Sequence, residues 1–201
     1  MELIALLQLK GCVVTADALH CHRAMAEAII ERGGDYVLAV KGNQPALLKD
    51  AMAAGAVAGK RVNQAKTKAI EHGRREWRTA VIVPAGDMAI AHDFPGLIAV
   101  ALVVSRRGTD DTVERYFLVS KLYEPDQLLT IVRTHWSIEN SLHWTLDVVL
   151  DEDLARNRKD CAPENLAILR RLALNVARAH PDTKTSLRRK LLRAAWDEDF
   201  L

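Results

Sequence analysis

An α/β fold is the class this sequence predicts, on three observations. Two apolar, β-branched runs flank an amphipathic helical segment between Cys12 and Lys41, the pattern of a parallel βαβ unit. Three further runs, Trp77 to Val83, Leu97 to Val104 and Arg115 to Ser120, alternate or stay apolar in strand fashion, with turn residues between them. From Pro125 to Asp153 apolar residues recur at steps of three and four, which keeps them on one face of a helix.

Taken in order, the chain opens with a short amphipathic helix from Glu2 to Leu9, closed by Gly11 in the usual capping place. Cys12 to Thr15 is the first strand, and Asp17 sits just past its end. A helix from about Leu19 to Arg32 is stopped by Gly33-Gly34, and Tyr36 to Lys41 is the second strand. The handedness rule puts the C-terminal ends of both strands on one sheet edge, where open α/β sheets bind ligands. An alanine-rich helix from Pro45 to about Gly59 leads into a basic stretch holding Lys60, Arg61, Lys66, Lys68, Arg74, Arg75 and Arg78. The three later strands read as an antiparallel set inserted before the long helix. Beyond Asp153, Pro163 opens a helix to Ala179 with an apolar side of Leu166, Leu169, Leu172, Ala173 and Val176. A last basic, amphipathic segment, Ser186 to Trp196, is expected to be a surface helix packed by Leu187, Leu191 and Leu192. One domain results, in three parts: a βαβ unit at 1–45, an insertion at 46–123 and a helical part at 124–201.

Composition narrows the function classes. With 49% hydrophobic residues the chain has enough apolar material for an ordinary core, which excludes a disordered protein. The net charge of +2 is too small to name a nucleic-acid partner, so any electrostatic footprint must come from local clusters. Cys12, Cys21 and Cys161 form no CxxC pair, which argues for a reducing compartment and against a structural zinc. Cys21 lies between His20 and His22, but adjacent residues do not easily wrap one tetrahedral ion. The segment MELIALLQLKG lacks a basic leader and a small-residue cleavage site, so neither a signal peptide nor a membrane span is expected.

Several positions admit two readings from their residues alone. Leu128, Val132, His135, Glu139, Leu142 and Leu146 share one helical stripe, so Glu139 faces inward with the leucines. A carboxylate there needs a cation, a metal or hydrogen-bond donors. It is either a structural group bonded to His135 or His143 or part of a working site. Asp17 is either the N-cap of the following helix or a ligand at the sheet edge. The Lys41-Gly42-Asn43-Gln44 segment is either a strand-ending turn or a turn whose Lys41 faces a phosphate. The basic stretch is either a solvated face or a track for a DNA backbone.

The wording HWSIENSLHWTLDVVLDED, followed by ARNR, APEN and LRRLALN, resembles the C-terminal signature of the DDE insertion-sequence transposases. The closest likeness is to the ISAs branch, which includes the H-repeat-associated proteins. A second block, VVTADALHCHRAMAEAIIERGGDYVLAVKGNQ, resembles the same branch. The resemblance implies a partial ribonuclease-H-like core in which Asp17 is the second aspartate and Glu139 the terminal glutamate of the Asp-Asp-Glu triad. It implies Mg²⁺ or Mn²⁺ held by Asp17 and Glu139, with His135, His143 and Asn140 in support. Two such ions, roughly 3.5 to 4 Å apart, would serve phosphodiester cleavage and strand transfer in DNA. DNA is the implied partner, met by Lys41, Asn43, Gln44, Arg74, Arg75 and Arg78, with Arg106 and Arg107 as further contacts. A homo-oligomer on DNA and a cytoplasmic, nucleoid-associated location in a bacterium are implied as well.

One departure from the family pattern stands out. Its first catalytic aspartate lies on an earlier strand, whereas here Glu2 is the only carboxylate before Asp17. The expectation is therefore a C-terminal transposase part that is catalytically incomplete, or a remnant that binds DNA without cutting it. Asp147, about 12 Å along an α-helix from Glu139, is too far to share its ion.

Overall fold

The computed structural model describes residues 2–57, 64–71, 74–107 and 112–200, with residues 2, 3, 57, 69–71, 74, 75, 107, 139 and 140 described by backbone alone. The chain divides into two compact units, Met1–His135 and Trp136–Leu201.

The first unit is built on the expected βαβ motif. Strand β1 (Val13–Ala16), helix α2 (Arg23–Glu31) and strand β2 (Asp35–Val40) follow the short helix α1 (Glu2–Leu6). β1 and β2 are parallel, with Val14 opposite Tyr36 and Ala16 opposite Leu38. The helix buries Met25, Ala26 and Ile29, because positions three and four apart share one face. At the return into β2, Gly34 lies so close to the first segment that an added Cβ would stand 2.9 Å from Leu9 Cβ. Only glycine permits that approach.

Helix α3 (Pro45–Val57) then leads into four antiparallel strands, β3 (Gln64–Glu71), β4 (Arg74–Pro84), β5 (Ala99–Arg107) and β6 (Thr112–Val119), with a short helix α4 (Met88–Ala91) after β4. One feature differs from the sequence expectation. Within the expected basic stretch, Gln64–Glu71 forms a strand paired with β4 from Gln64↔Val81 to Glu71↔Arg74. Lys66 and Lys68 alternate with Ala65, Thr67 and Ala69, so only Ile70 supplies the large β-branched side chain that announces a strand. The sequence leaves open how the later antiparallel strands join the βαβ unit. Among the described residues they join the βαβ pair in one six-stranded sheet of order β1-β2-β6-β5-β4-β3, through antiparallel pairing of β2 with β6.

One face of this sheet carries the main core. Tyr36, Leu38, Val40, Val100, Tyr116 and Leu118 pack there with Met25 and Ile29 of α2 and Leu47 and Ala51 of α3, and Val14 and Ala16 join them. Thr15 alternates with those two and so points to the opposite face. Helix α5 (Pro125–Ile138) meets the sheet on that opposite face through His135, and buries Leu128, Leu129 and Val132.

The second unit starts in the same helical run, which is not uniform. A π-helical turn, Glu139–His143, separates α5 from α6 (Trp144–Leu150). Helix α7 (Ala162–Ala179) follows, with Pro163 in its first turn as expected. Its buried residues are Leu174 and Ala177, whereas Leu169, Leu172 and Val176 of the anticipated apolar side are exposed. Helix α8 (Leu187–Ala194) is capped by Ser186 and buries Lys190 rather than Leu192. Lys190 Nζ donates to the carbonyls of Ala177 and His180, at 3.2 and 3.1 Å, and so satisfies the free end of α7. No described helix is long and apolar enough to cross a membrane.

Candidate active site

Asp17 follows β1 directly, with extended backbone angles of φ −71° and ψ 167°. It occupies the N-cap position of a single 3-10 turn, Ala18–His20, but its side chain makes no capping hydrogen bond. The long helix starts later than the sequence suggests, and His22 caps it: Nδ1 accepts from the Met25 N–H at 3.2 Å. His22 is thus engaged in the backbone, and no group of three or more metal-binding side chains occurs among the described residues. The Asp17 side chain stays 53% exposed, with Lys41 Nζ 3.5 Å from its Oδ1. At that distance and exposure the pair contributes little stability. The carboxylate is therefore available at the sheet edge, which is the chemically informative result.

The Lys41-Gly42-Asn43-Gln44 segment reaches back toward the same turn with three of its side chains. Besides the Lys41 contact, Asn43 Nδ2 donates to the Ala18 carbonyl at 2.9 Å, and Gln44 Nε2 donates to the Cys21 carbonyl. Cys21 is buried, and that burial pushes its thiol up to about 12, which keeps it neutral. This bracing has no local sequence signal, because it joins residues more than twenty apart.

His135 enters from the other side of β1. Its Nδ1 lies 3.0 Å from Thr15 Oγ1, two residues before Asp17. His135 is thereby tied to the strand that Asp17 follows. Sequence reading named His135 but not Thr15, since a threonine in a strand is ordinary.

Glu139 opens the π-helical turn one helical turn beyond His135, and His143 closes it with an exposed side chain. Such turns insert an extra residue into a helix and occur often at functional positions. The side chains of Glu139 and Asn140 lie outside the described set. Farther along, Asp147 has its carboxyl held above the usual range by desolvation and by the charges of Asp153 and Glu152.

The basic residues sort onto two sheet faces. Arg78 pairs with Glu76 at 2.7 Å, and their side chains are only 18% and 4% exposed. In the β3–β4 ladder Arg74, at the register of Arg78, stands opposite Glu71, and Arg75, at the register of Trp77, stands opposite Ile70. On the other face Lys68, Trp77, Arg106 and Thr112 form one cross-strand row, beside a second row of Lys66, Thr79, Val104 and Glu114. Trp77, Thr79, Val104, Arg106 and Thr112 line a cavity of about 430 Å³. Lys66, Lys68 and Arg106 are exposed there. Strand alternation makes this the face opposite Arg78.

Residues 2–176 match the family described as "Transposase DDE domain". The whole chain aligns at 34% identity with "Putative protein YbfL" and with the "H repeat-associated putative transposase YhhI", both of Escherichia coli strain K12, and covers 56% of each. Over 62% of its length it is 36% identical to the "Uncharacterized protein in dhlA 3'region" of Xanthobacter autotrophicus, covering 44% of that protein. The chain thus spans about half the length of the relatives it matches. No solved structure matches it. With the two blocks that carry the site both inside the matched range, the chain belongs to the family of transposase DDE domains.

Proposed function

We propose that this chain supplies Asp17 and Glu139, the second and third carboxylates of a DDE-type site for cleavage and transfer of DNA strands. The observation that carries the proposal is the state of Asp17: it ends a parallel strand, caps nothing, and has His135 of the helix leading to Glu139 bonded two residues away. Its exposed oxygens suit Mg²⁺ or Mn²⁺, hard cations that prefer carboxylate ligands. Bound divalent ions would stabilise the charge that develops on the phosphodiester oxygens.

The chain's own residues then have separate tasks. Lys41 balances the Asp17 charge and offers a cation where a phosphate would approach. His135, through Thr15, ties helix α5 to β1. Nothing before Asp17 in these 201 residues is placed to act as the first aspartate: Glu2 lies in α1, not on a sheet strand. The chain as given is therefore expected to bind metal without cutting DNA.

The test combines Mn²⁺ binding with nicking and strand-transfer assays on DNA carrying element ends. The expected outcome is saturable Mn²⁺ binding that weakens in Asp17→Asn and in Glu139→Gln, and no cleavage product. Unchanged binding in both variants would remove the metal role. Cleavage that disappears in Glu139→Gln would show that the site is complete after all.

A DNA-binding reading rests on a different observation, the exposed Lys66, Lys68 and Arg106 around Trp77. Contacts to phosphates from this face would be weakly sequence-dependent and steeply salt-dependent. Replacing all three by Ala is expected to flatten the salt dependence of duplex binding. An unchanged slope would remove this face as the contact surface.

A further inference from the structure

We infer that Asn43 and Gln44 are positioning residues for Asp17, an inference that rests on the reading of Asp17 as a metal ligand. The turn after Asp17 has little to hold it. Its own hydrogen bonds are short-range, from the His20 N–H to the Asp17 carbonyl at 2.9 Å and from the Cys21 N–H to the Ala18 carbonyl at 3.3 Å. An aspartate before a helical turn ordinarily swings its carboxylate onto the following N–H groups, because those donors are otherwise unpaired. Here it does not, and the two carbonyls that set the turn's orientation are gripped from outside. Asn43 donates to Ala18 and Gln44 to Cys21.

The grip comes from the segment after β2. Asn43 and Gln44 are separated by two residues from that strand, whose Leu38 and Val40 are buried in the core. With Ala18 and Cys21 themselves buried, the turn is fixed on both its interior and its β2 side. The carboxylate is left at the edge beside Lys41. Each amide gives an N–H to the protein backbone, which leaves one further N–H on each and makes the hold on the turn their contribution to geometry. Partners that orient a metal ligand typically change metal affinity by about 10- to 100-fold when removed.

The experiment uses the full chain and the variants Asn43→Ala, Gln44→Met, their combination, and Asp17→Asn. Free Mn²⁺ is followed by electron paramagnetic resonance, duplex DNA affinity is measured without metal, and thermal unfolding confirms that each variant is folded at the assay temperature. The combined variant is expected to bind Mn²⁺ about tenfold more weakly, with DNA affinity unchanged. If the combined variant fails to fold, Gln44→Met alone is read by the same criteria. Wild-type Mn²⁺ affinity in a folded combined variant, while Asp17→Asn loses it, overturns the positioning role and leaves the metal reading intact. Wild-type affinity in Asp17→Asn overturns the metal reading and this inference with it. Weakened metal-free DNA binding with intact Mn²⁺ affinity would instead make the two amides phosphate contacts.

Discussion

Thr15→Val isolates the bond that ties the helix leading to Glu139 to the strand leading to Asp17. Valine keeps the β-branched shape that suits a strand and loses only the hydroxyl, so the change removes the 3.0 Å contact to His135 with little change in packing. A net intramolecular hydrogen bond is worth about 0.5–1.5 kcal/mol. Both partners are half-buried, so the imidazole recovers part of its loss from water and about 1 kcal/mol is expected. For a domain of roughly 150–250 residues that lowers the thermal midpoint by about 2–4 °C. A double-mutant cycle with His135→Leu sharpens the test. Urea unfolding of the four proteins should give a coupling energy near 1 kcal/mol, since two residues in direct contact do not act additively. A coupling below about 0.3 kcal/mol, the scatter expected of independent sites, would refute the idea that this bond fixes helix to strand.

Other outcomes follow from the same structure. Gly34→Ala places a methyl group 2.9 Å from Leu9 Cβ and 3.1 Å from the Leu9 carbonyl oxygen. It should cost about 1–3 kcal/mol in urea, whereas Gly42→Ala, with nothing within 4 Å, serves as a near-neutral control. Iodoacetamide at pH 8 should label the exposed Cys12 and Cys161 but spare Cys21, whose thiol is buried and stays protonated with its pKa near 12. Equal labelling of all three would contradict the buried position. Lys190→Met leaves the Ala177 and His180 carbonyls without their donor, and a loss of about 1–3 kcal/mol is expected. Faster amide exchange at the end of α7 is the accompanying sign, and unchanged exchange would show that the ammonium is not what closes the helix.

The order of elements was legible in the sequence, because it depends on local regularities. The βαβ unit shows in its two β-branched runs and the helix between them, and the 125–150 helix shows in its three- and four-residue steps. The candidate residues were legible too, from the wording around Asp17 and Glu139. What those residues do with their side chains was not. Asp17 admits two readings in the sequence, N-cap or sheet-edge ligand, and only the structure shows that His22 caps α2 while Asp17 faces Lys41. For Asn43 and Gln44 the sequence offers a strand-ending turn or a DNA contact, and neither reading names their partners more than twenty residues earlier. Gln64–Glu71 became a strand because β4 offered it a ladder, not because its own residues favour one. Leu169 and Leu172 made a stripe that the fold leaves exposed, while Lys190 was buried by two carbonyls looking for a donor. Sequence alone determined where helices and strands can form, since dihedral preference and hydrophobic period act over a few residues. Which strand pairs with which, which face is covered, and which polar group satisfies another were decided only in the tertiary structure, where hydrogen bonds and burial join residues the chain keeps far apart.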